Sequence, residues 1–301
     1  MVACNGTLEN CARNGASPLT EHGQTLGVIG AGVMGHTLIK GLIESGAIAR
    51  DQIWASARTE TTCEKAAAAL GIPVEVSYQH RVPGAGMILI CVKPSQAAKV
   101  LHTLRGASLG PDTLLISIMA GATTSQLESM LGATNPLVRA MPNTPCIVGE
   151  GMSVICAGRY ARPEHLLRAQ RVFEAVGECA AVDESYFNAI TALSGSGPAY
   201  QYLIMEALAD AGVRVGLPRQ LALKLVAQTA LGAARMVQTS GRHPAALRDD
   251  VTTPAGCTIG GLLMLEDGKI RSVLARAVEE ATRIAAQLAP PVSQQSGAAA
   301  S

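Results

Sequence analysis

Apolar residues follow two rhythms along this chain, and the change of rhythm near Val182 to Ser185 divides it. Before that point, short apolar runs alternate with stretches of helical period. Thr25 to Ile29, Gln52 to Ser56, Met87 to Val92, Leu114 to Ile118 and Leu137 to Ala140 read as strands. The third is apolar throughout, as expected of a strand covered on both faces. Val74 to Val76, Val154 to Cys156 and Cys179 to Val182 add shorter ones. Between them run a helix through Leu38, Ile39, Leu42 and Ile43, a second at Thr61 to Leu70 closed by Gly71, a third through Val100, Leu101 and Leu104, and two more at Ser125 to Leu131 and Glu164 to Ala175. Strands alternating with helices predict an α/β Rossmann domain with a doubly wound, largely parallel sheet.

From Glu184 onward no strand pattern recurs, and an all-α domain is expected. Asn188 to Leu193, Pro198 to Ala211, Pro218 to Gln238, His243 to Asp250, Thr258 to Glu266 and Lys269 to Leu288 carry helical periodicity. The second of these is apolar nearly all round, through Met205, Ala207, Leu208, Ala209 and Ala211, which predicts a central, doubly buried helix. The predicted domains are residues 25–184 and 185–290. The flanking segments 1–24 and 291–301, one polar and one of low complexity, are predicted to be disordered tails.

Composition adjusts this picture in two ways. The chain is 48% hydrophobic but only 3% aromatic and 16% charged, so Ala, Leu, Val and Ile must supply the packing. So low a charge content predicts that much surface is buried between subunits. The net charge of +1, with no basic block, removes the driving force for nucleic-acid or membrane-surface binding. No apolar run approaches the ~18 residues of a membrane span, and residues 1–24 hold one basic residue, Arg13, and no apolar core of a signal peptide. Eight cysteines lack C-x-x-C spacing or histidines at ligand intervals, which predicts reduced thiols, a cytoplasmic location and no metal.

Candidate chemistry gathers at glycine-rich turns. Gly30-x-Gly32-x-x-Gly35 follows a strand and opens a helix, the setting of a dinucleotide cradle. At the tip of the second strand, Ser56-Ala57-Arg58-Thr59 has no acid before Glu60. An acid there would bind a ribose hydroxyl and repel a 2′-phosphate, so Ser56 and Arg58 predict NADPH, with NADH as the alternative. Val92-Lys93-Pro94 and Met119-Ala120-Gly121 fall at the carboxyl ends of later strands, either lining the ligand crevice or serving as turn chemistry. Asn143 either bonds the nicotinamide carboxamide or caps a turn. A second cradle is read in Leu193-Ser194-Gly195-Ser196-Gly197-Pro198-Ala199-Tyr200, as a loop presenting N–H groups and hydroxyls at a helix N-terminus. Asp249 to Ile259 is the other notable loop, in which Thr253 and Thr258 are either N-caps or ligand groups. His243, before Pro244, reads as a structural residue at a helix start. Neither Gly/Ser loop holds His, Lys or Glu, so a strong acid for a developing alkoxide is missing. Reduction of a protonated C=N needs none.

These motifs, with Lys93-Pro94, Met141-Pro142-Asn143-Thr144-Pro145, Glu206 to Asp210, Gly216-Leu217-Pro218 and His243-Pro244 in the same order, resemble the Δ1-pyrroline-5-carboxylate reductases from about Thr25 to Leu288. The resemblance implies hydride transfer from NAD(P)H to a cyclic imine, giving L-proline. It implies cofactor contacts from Ile29, Gly30, Ala31, Gly32, Val33, Met34, the strand-two tip with Ser56 and Arg58, Val92, Lys93 and Ala120, with Asp250 close to the cofactor; Pro94 and Asn143 join the candidate set from their places at the strand ends. It places the substrate carboxylate on the loop from Asp249 to Thr258, with Glu184, Ser194, Thr253, Gly256, Cys257 and Thr258 lining the site and Thr258 facing the ring nitrogen as the catalytic residue. A homodimer, in many members assembled five-fold into a decamer, is implied as well. Two departures stand out: Thr253-Pro254-Ala255-Gly256 replaces the usual Ser-Pro-Gly-Gly, and Asp250 replaces a frequent asparagine. An alanine at position 255 compromises the loop wherever φ must be positive.

Two other readings compete. A β-hydroxyacid dehydrogenase would carry a Lys-x-x-x-Asn pair on the helix after the second glycine loop, and Pro198 to Ala211 has neither residue. A non-catalytic NADPH sensor would not require the second cradle or the threonine loop.

Overall fold

The computed structural model describes Leu19 and residues 23–288. The predicted tails lie outside these residues, apart from Leu19, Gly23 and Gln24. The chain divides into two compact units, the first running to Asn188 and taking in the chain again from Ala285, the second comprising Ala189–Ile284.

The first unit is one eight-stranded sheet in the order β3-β2-β1-β4-β5-β6-β7-β8. Its strands are β1 (Thr25–Ile29), β2 (Ile53–Ser56), β3 (Val74–Glu75), β4 (Ala85–Ile90), β5 (Leu114–Ser117), β6 (Leu137–Met141), β7 (Gly151–Ala157) and β8 (Gly177–Ala181). All pairings are parallel except β6 with β7. The order reverses beside β1, between β2 and β4, which opens the crevice where sheets of this kind bind ligands.

Helices α1 (Val33–Glu44), α2 (Glu60–Leu70), α3 (Ala97–Gly106), α4 (Thr124–Leu131) and α5 (Pro163–Glu174) cover this sheet. Strand residues alternate between two cores, as a period of two requires. Leu26, Val28, Met87, Leu89, Leu114 and Ile116 pack with Leu38 and Leu42 of α1, Leu70 of α2 and Phe173 of α5. Ile29, Ile88, Ile90 and Leu115 pack on the other face with Leu101 and Leu104 of α3 and Leu127 and Leu131 of α4. The sheet is therefore wound on both faces.

Glycines admit close contacts at chosen points of β1 and β4. The single tryptophan, Trp54, lies over Gly27, where a Cβ would run into its ring. Trp54 also stacks on Tyr78 with centroids 6.1 Å apart and donates from Nε1 to Thr25 Oγ1 at 3.1 Å. At the start of β4, Gln24 fills the space a Gly86 side chain would need.

The second unit is helical: α6 (Phe187–Ile190), at its entrance, leads to α7 (Gly197–Arg214), α8 (Arg219–Ser240), α9 (Pro244–Asp250), α10 (Cys257–Asp267) and α11 (Ile270–Ala285). Within Ala189–Ile284 only three residues are buried, all alanines: Ala192, Ala209 and Ala222. The expectation that α7 is doubly buried fails within one chain, where Tyr202, Leu203 and Leu208 are more than half exposed. The helix is apolar all round, but this chain lays only α8 against it as a major packing partner.

Replacing Gly27 by alanine forces Trp54 from a fully packed position. The expected loss is about 1–3 kcal/mol of stability, checked by urea unfolding of the first unit followed through Trp54 fluorescence.

Candidate active site

Of the cofactor residues read from the sequence, Ile29 to Met34, Ser56, Arg58, Val92 to Pro94 and Ala120 lie at the carboxyl ends of β1, β2, β4 and β5, whereas Asn143 follows β6 and Asp250 ends α9 (Pro244–Asp250) in the second unit. The turn after β1 is tied to the tip of β2, because Gly30 and Ala31 both donate their N–H to Ser56 O, at 3.0 and 2.8 Å. Gly30 has φ +105°, a conformation that disfavours any side chain, and a Cβ there would stand 2.6 Å from Cys91 O. Gly35 approaches Gly30 O so closely that a Cβ would collide with it. Gly32 differs: it is the N-cap of α1 and a Cβ on it would meet no protein atom within 4 Å. Two glycines thus serve packing, while the middle one leaves the helix N-terminus open to a phosphate. No acid occupies the first turn of α1 to oppose one. These residues fit a dinucleotide pyrophosphate.

Cys91 lies under the turn, with its thiol pushed up to about 12 by burial, and so is unreactive packing. Val92 is half-buried, and the exposed Lys93 caps the turn Pro94–Gln96 at the end of β4. Met119 donates its N–H to Ser117 Oγ at 3.3 Å, setting Ala120 at the end of β5. Asn143 accepts from Met152 N–H through Oδ1 at 2.9 Å, which ties β7 to the loop after β6. Ser56 is buried, and Arg58 stands exposed just before Thr59, the N-cap of α2.

Glu184 belongs to a cluster that sequence reasoning missed. Its Oε1 accepts from Thr124 N–H at 2.8 Å and from Arg139 Nη1 at 2.9 Å, and its Oε2 accepts from Thr124 Oγ1 at 2.7 Å. The Arg139 side chain is 5% exposed and its guanidinium lies 4.3 Å from the Phe187 ring centroid. A lone arginine inside the apolar strand Leu137-Val138-Arg139-Ala140 was the available signal, since a buried cation demands a partner. This carboxylate closes the N-terminus of α4 and anchors the segment leading into the second unit. The same Glu184 charge, after burial, helps push the Cys156 thiol up to about 12.

In the second unit the Ser194-to-Gly197 stretch departs from expectation. It is no open loop: Thr191–Gly195 forms a single π-helical turn joining α6 to α7. Ser196 N–H donates to Thr191 O at 2.9 Å and Ala199 N–H to Ser196 O at 3.0 Å, so these donors are already engaged. Small residues tolerate the wide turn, and such turns recur at functional sites.

The loop after α9 is the stretch read as the threonine loop. His243 caps α9, its Nδ1 accepting from Ala245 N–H at 3.2 Å, in keeping with the structural reading. Thr258 is no N-cap. Gly256 caps α10, and Thr258 lies half-buried in its first turn, because the extended backbone falls one residue before Cys257. Ala255 has φ +57°, the left-handed conformation, at a cost of about 1–2 kcal/mol. Thr253 packs where a Gly256 side chain would stand. Asp250 accepts from Arg242 Nη1 and Nη2 at 2.6 and 3.1 Å, and this guanidinium holds its carboxyl below the usual range. The loop between Val251 and Gly256 therefore joins two capped helices and sits on the positive end of α10.

Among the described residues no cluster of His, Cys, Asp and Glu could hold a metal, and no helix is long and apolar enough to cross a membrane. Six cysteines there are free thiols, of which Cys257 is exposed in the threonine loop.

A glycine-rich nucleotide cradle at the first strand–helix crossing, in a chain whose threonine loop offers no strong acid, is the pattern of an NAD(P)H-dependent oxidoreductase. Residues 184–288 match the family model for pyrroline-5-carboxylate reductase dimerisation, and residues 25–121 that for NADP oxidoreductase, coenzyme F420-dependent. A pyrroline-5-carboxylate reductase of Pisum sativum is 41% identical over 271 residues, 90% of this chain and 98% of its own. One from Methanosarcina acetivorans is 40% identical over 88% of this chain and 98% of its own. The solved reductase of Coxiella burnetii superposes with a TM-score of 0.83 at 32% identity, covering 89% of this chain and all of the other. That of Plasmodium falciparum, solved with NADP bound, gives 0.78 at 32% identity over 90% of this chain and all of the other. The chain belongs to the pyrroline-5-carboxylate reductase family.

Glu184→Leu leaves the Arg139 cation without its carboxylate and should cost about 3–5 kcal/mol. The double variant Arg139→Leu/Glu184→Leu should cost clearly less than the sum of the single changes, as a double-mutant cycle in urea would measure.

Proposed function

We propose that this chain reduces Δ1-pyrroline-5-carboxylate to L-proline with NADPH, the last step of proline synthesis. The observation that supports it most directly is the loop at the N-terminus of α10, where Gly256 caps the helix and Thr258 stands in the first turn, next to an anion-favouring helix end. NADPH, when bound, supplies the hydride, and the first unit supplies its cradle. The backbone amides at the start of α10 take the substrate carboxylate, with Thr253 and Cys257 beside it. Thr258 Oγ1 accepts from the iminium N–H and so orients the C=N carbon. As that carbon gains hydride, its nitrogen loses charge, so no side chain need deliver a proton in the same step. Rate enhancement then rests on positioning.

The cofactor set runs from Ile29 through Met34, with Ser56 and Arg58 at the ribose, and Val92 to Pro94, Ala120 and Asn143 toward the nicotinamide. Asp250, neutralised by Arg242, approaches the cofactor without repelling it. Glu184 and Ser194 frame the substrate site through the elements they hold. The protein works as a homodimer in the cytoplasm, and a decamer is the larger assembly to test. Exposed apolar side chains on every long helix of the second unit support such an assembly: Leu203, Leu225, Leu263 and Val273.

NADPH oxidation on addition of pyrroline-5-carboxylate, with NADH in parallel, tests the activity. Thr258→Ala should lower kcat roughly tenfold, the worth of one positioning hydrogen bond, with NADPH affinity unchanged. Undiminished turnover would remove Thr258 from the mechanism. Sedimentation at micromolar protein should show a dimer or a multiple of it, and a monomer would overturn the assembly.

A further inference from the structure

A cleft of about 460 Å³ opens between α1 and α2, beside the glycine turn. Gly32, Val33 and His36 line it from the first helix, Thr62 and Lys65 from the second, and Ile147 closes one side. No acidic residue lines it. Its floor thus begins at Gly32, where the nucleotide pyrophosphate meets α1. Its far wall belongs to the helix that starts at the tip of β2.

Most cations of the first unit are already engaged, whereas Lys65, like Arg58, Lys93 and Lys99, has no side-chain partner among the described residues, and it alone of these four lines the cleft. Arg81 is paired with Glu75, Arg139 with Glu184, Lys40 with Glu44 and Arg162 with Glu164, while Arg50 and Arg168 bond backbone carbonyls. Lys65 and His36 make no hydrogen bond or ion pair within the described residues, yet both face one cavity. Thr62 is partly engaged, its hydroxyl 2.8 Å from that of Thr59, the α2 cap. An uncommitted ammonium and an imidazole facing an acid-free cleft match a phosphate monoester.

We propose that Lys65, assisted by His36, completes the recognition of the 2′-phosphate on the adenine ribose of NADPH, from the side opposite Arg58. This rests on the cofactor reading above and extends it. Arg58 and Lys65 are both exposed and only Lys65 lines the cleft, so either one alone would present a single solvated charge to a dianion. Lys65 comes from the second turn of α2 and supplies the other charge. Because it reaches only the group that separates NADPH from NADH, Lys65 is a specificity determinant and takes no part in hydride transfer.

Calorimetric titration with 2′,5′-ADP and with 5′-AMP, which lacks the 2′-phosphate, tests this apart from catalysis. Lys65→Ala should weaken 2′,5′-ADP about tenfold or more, the loss of one charge-assisted bond, and leave 5′-AMP unchanged. Lys65→Arg should restore most of the affinity, and His36→Ala should give a smaller loss confined to 2′,5′-ADP. In steady-state assays the KM for NADPH should rise in Lys65→Ala while kcat and the KM for NADH hold. Equal weakening of both nucleotides would place Lys65 on the shared 5′ phosphate and overturn the proposal, as would no weakening of either. If the unsubstituted protein bound 2′,5′-ADP no better than 5′-AMP, the NADPH reading itself would fall. A preference that survives Lys65→Ala removes only the role of Lys65.

Discussion

The carbonyl of Ser56 accepts two backbone N–H groups, from Gly30 and Ala31, and the cofactor cleft depends on that junction. It fixes the exit of β1 against the tip of β2, so the glycine turn and the segment from Ser56 to Thr59 share one backbone frame. A side-chain contact could drift with rotamers; this one cannot without breaking the sheet edge. The positive φ of Gly30 and the close approach of Gly35 follow from the same demand, because the turn must reach Ser56 and still leave α1 packed on the sheet. The side chains at the tip of β2, Ser56 and Arg58 among them, are therefore mounted on a rigid base.

Much of this is legible in the sequence. Strands such as Thr25–Ile29 are short apolar runs bounded by glycine or charge, and covered parallel strands leave little else in the sequence. β4 starts two residues before its apolar run, because Ala85 and Gly86 carry no strand signal of their own and tertiary pairing with β1 recruits them. The glycine motif and the β2 tip were plain from context, since both sit at fixed places in one βαβ unit. Cap positions were less so. Thr258 lost the N-cap to Gly256 because backbone geometry, not side-chain preference, sets where α10 begins. The π turn at Thr191–Gly195 was invisible because small residues write the same pattern for a loop and for a widened helix. The Arg139–Glu184 pair links residues 45 apart, and no local rhythm announces such a partner.

The two units solve the burial problem differently. The first covers both faces of a sheet with its own helices. The second buries three alanines and leaves leucines on its long helices in water. With almost no aromatic residues to thicken a small core, it exposes apolar surface of the kind that contact between copies covers, in keeping with its match to a dimerisation domain and with the low charge content.

Ala255 carries a wider consequence. An alanine in the left-handed region occupies a narrow well, whereas glycine there roams on both sides of φ zero. The loop ahead of α10 thus has fewer shapes to abandon when a small anion settles on it. The strain at one residue is offset by an entropy that no longer has to be surrendered at the moment of capture. An alanine at this position leaves the loop ahead of α10 closer to a single form than a glycine would allow.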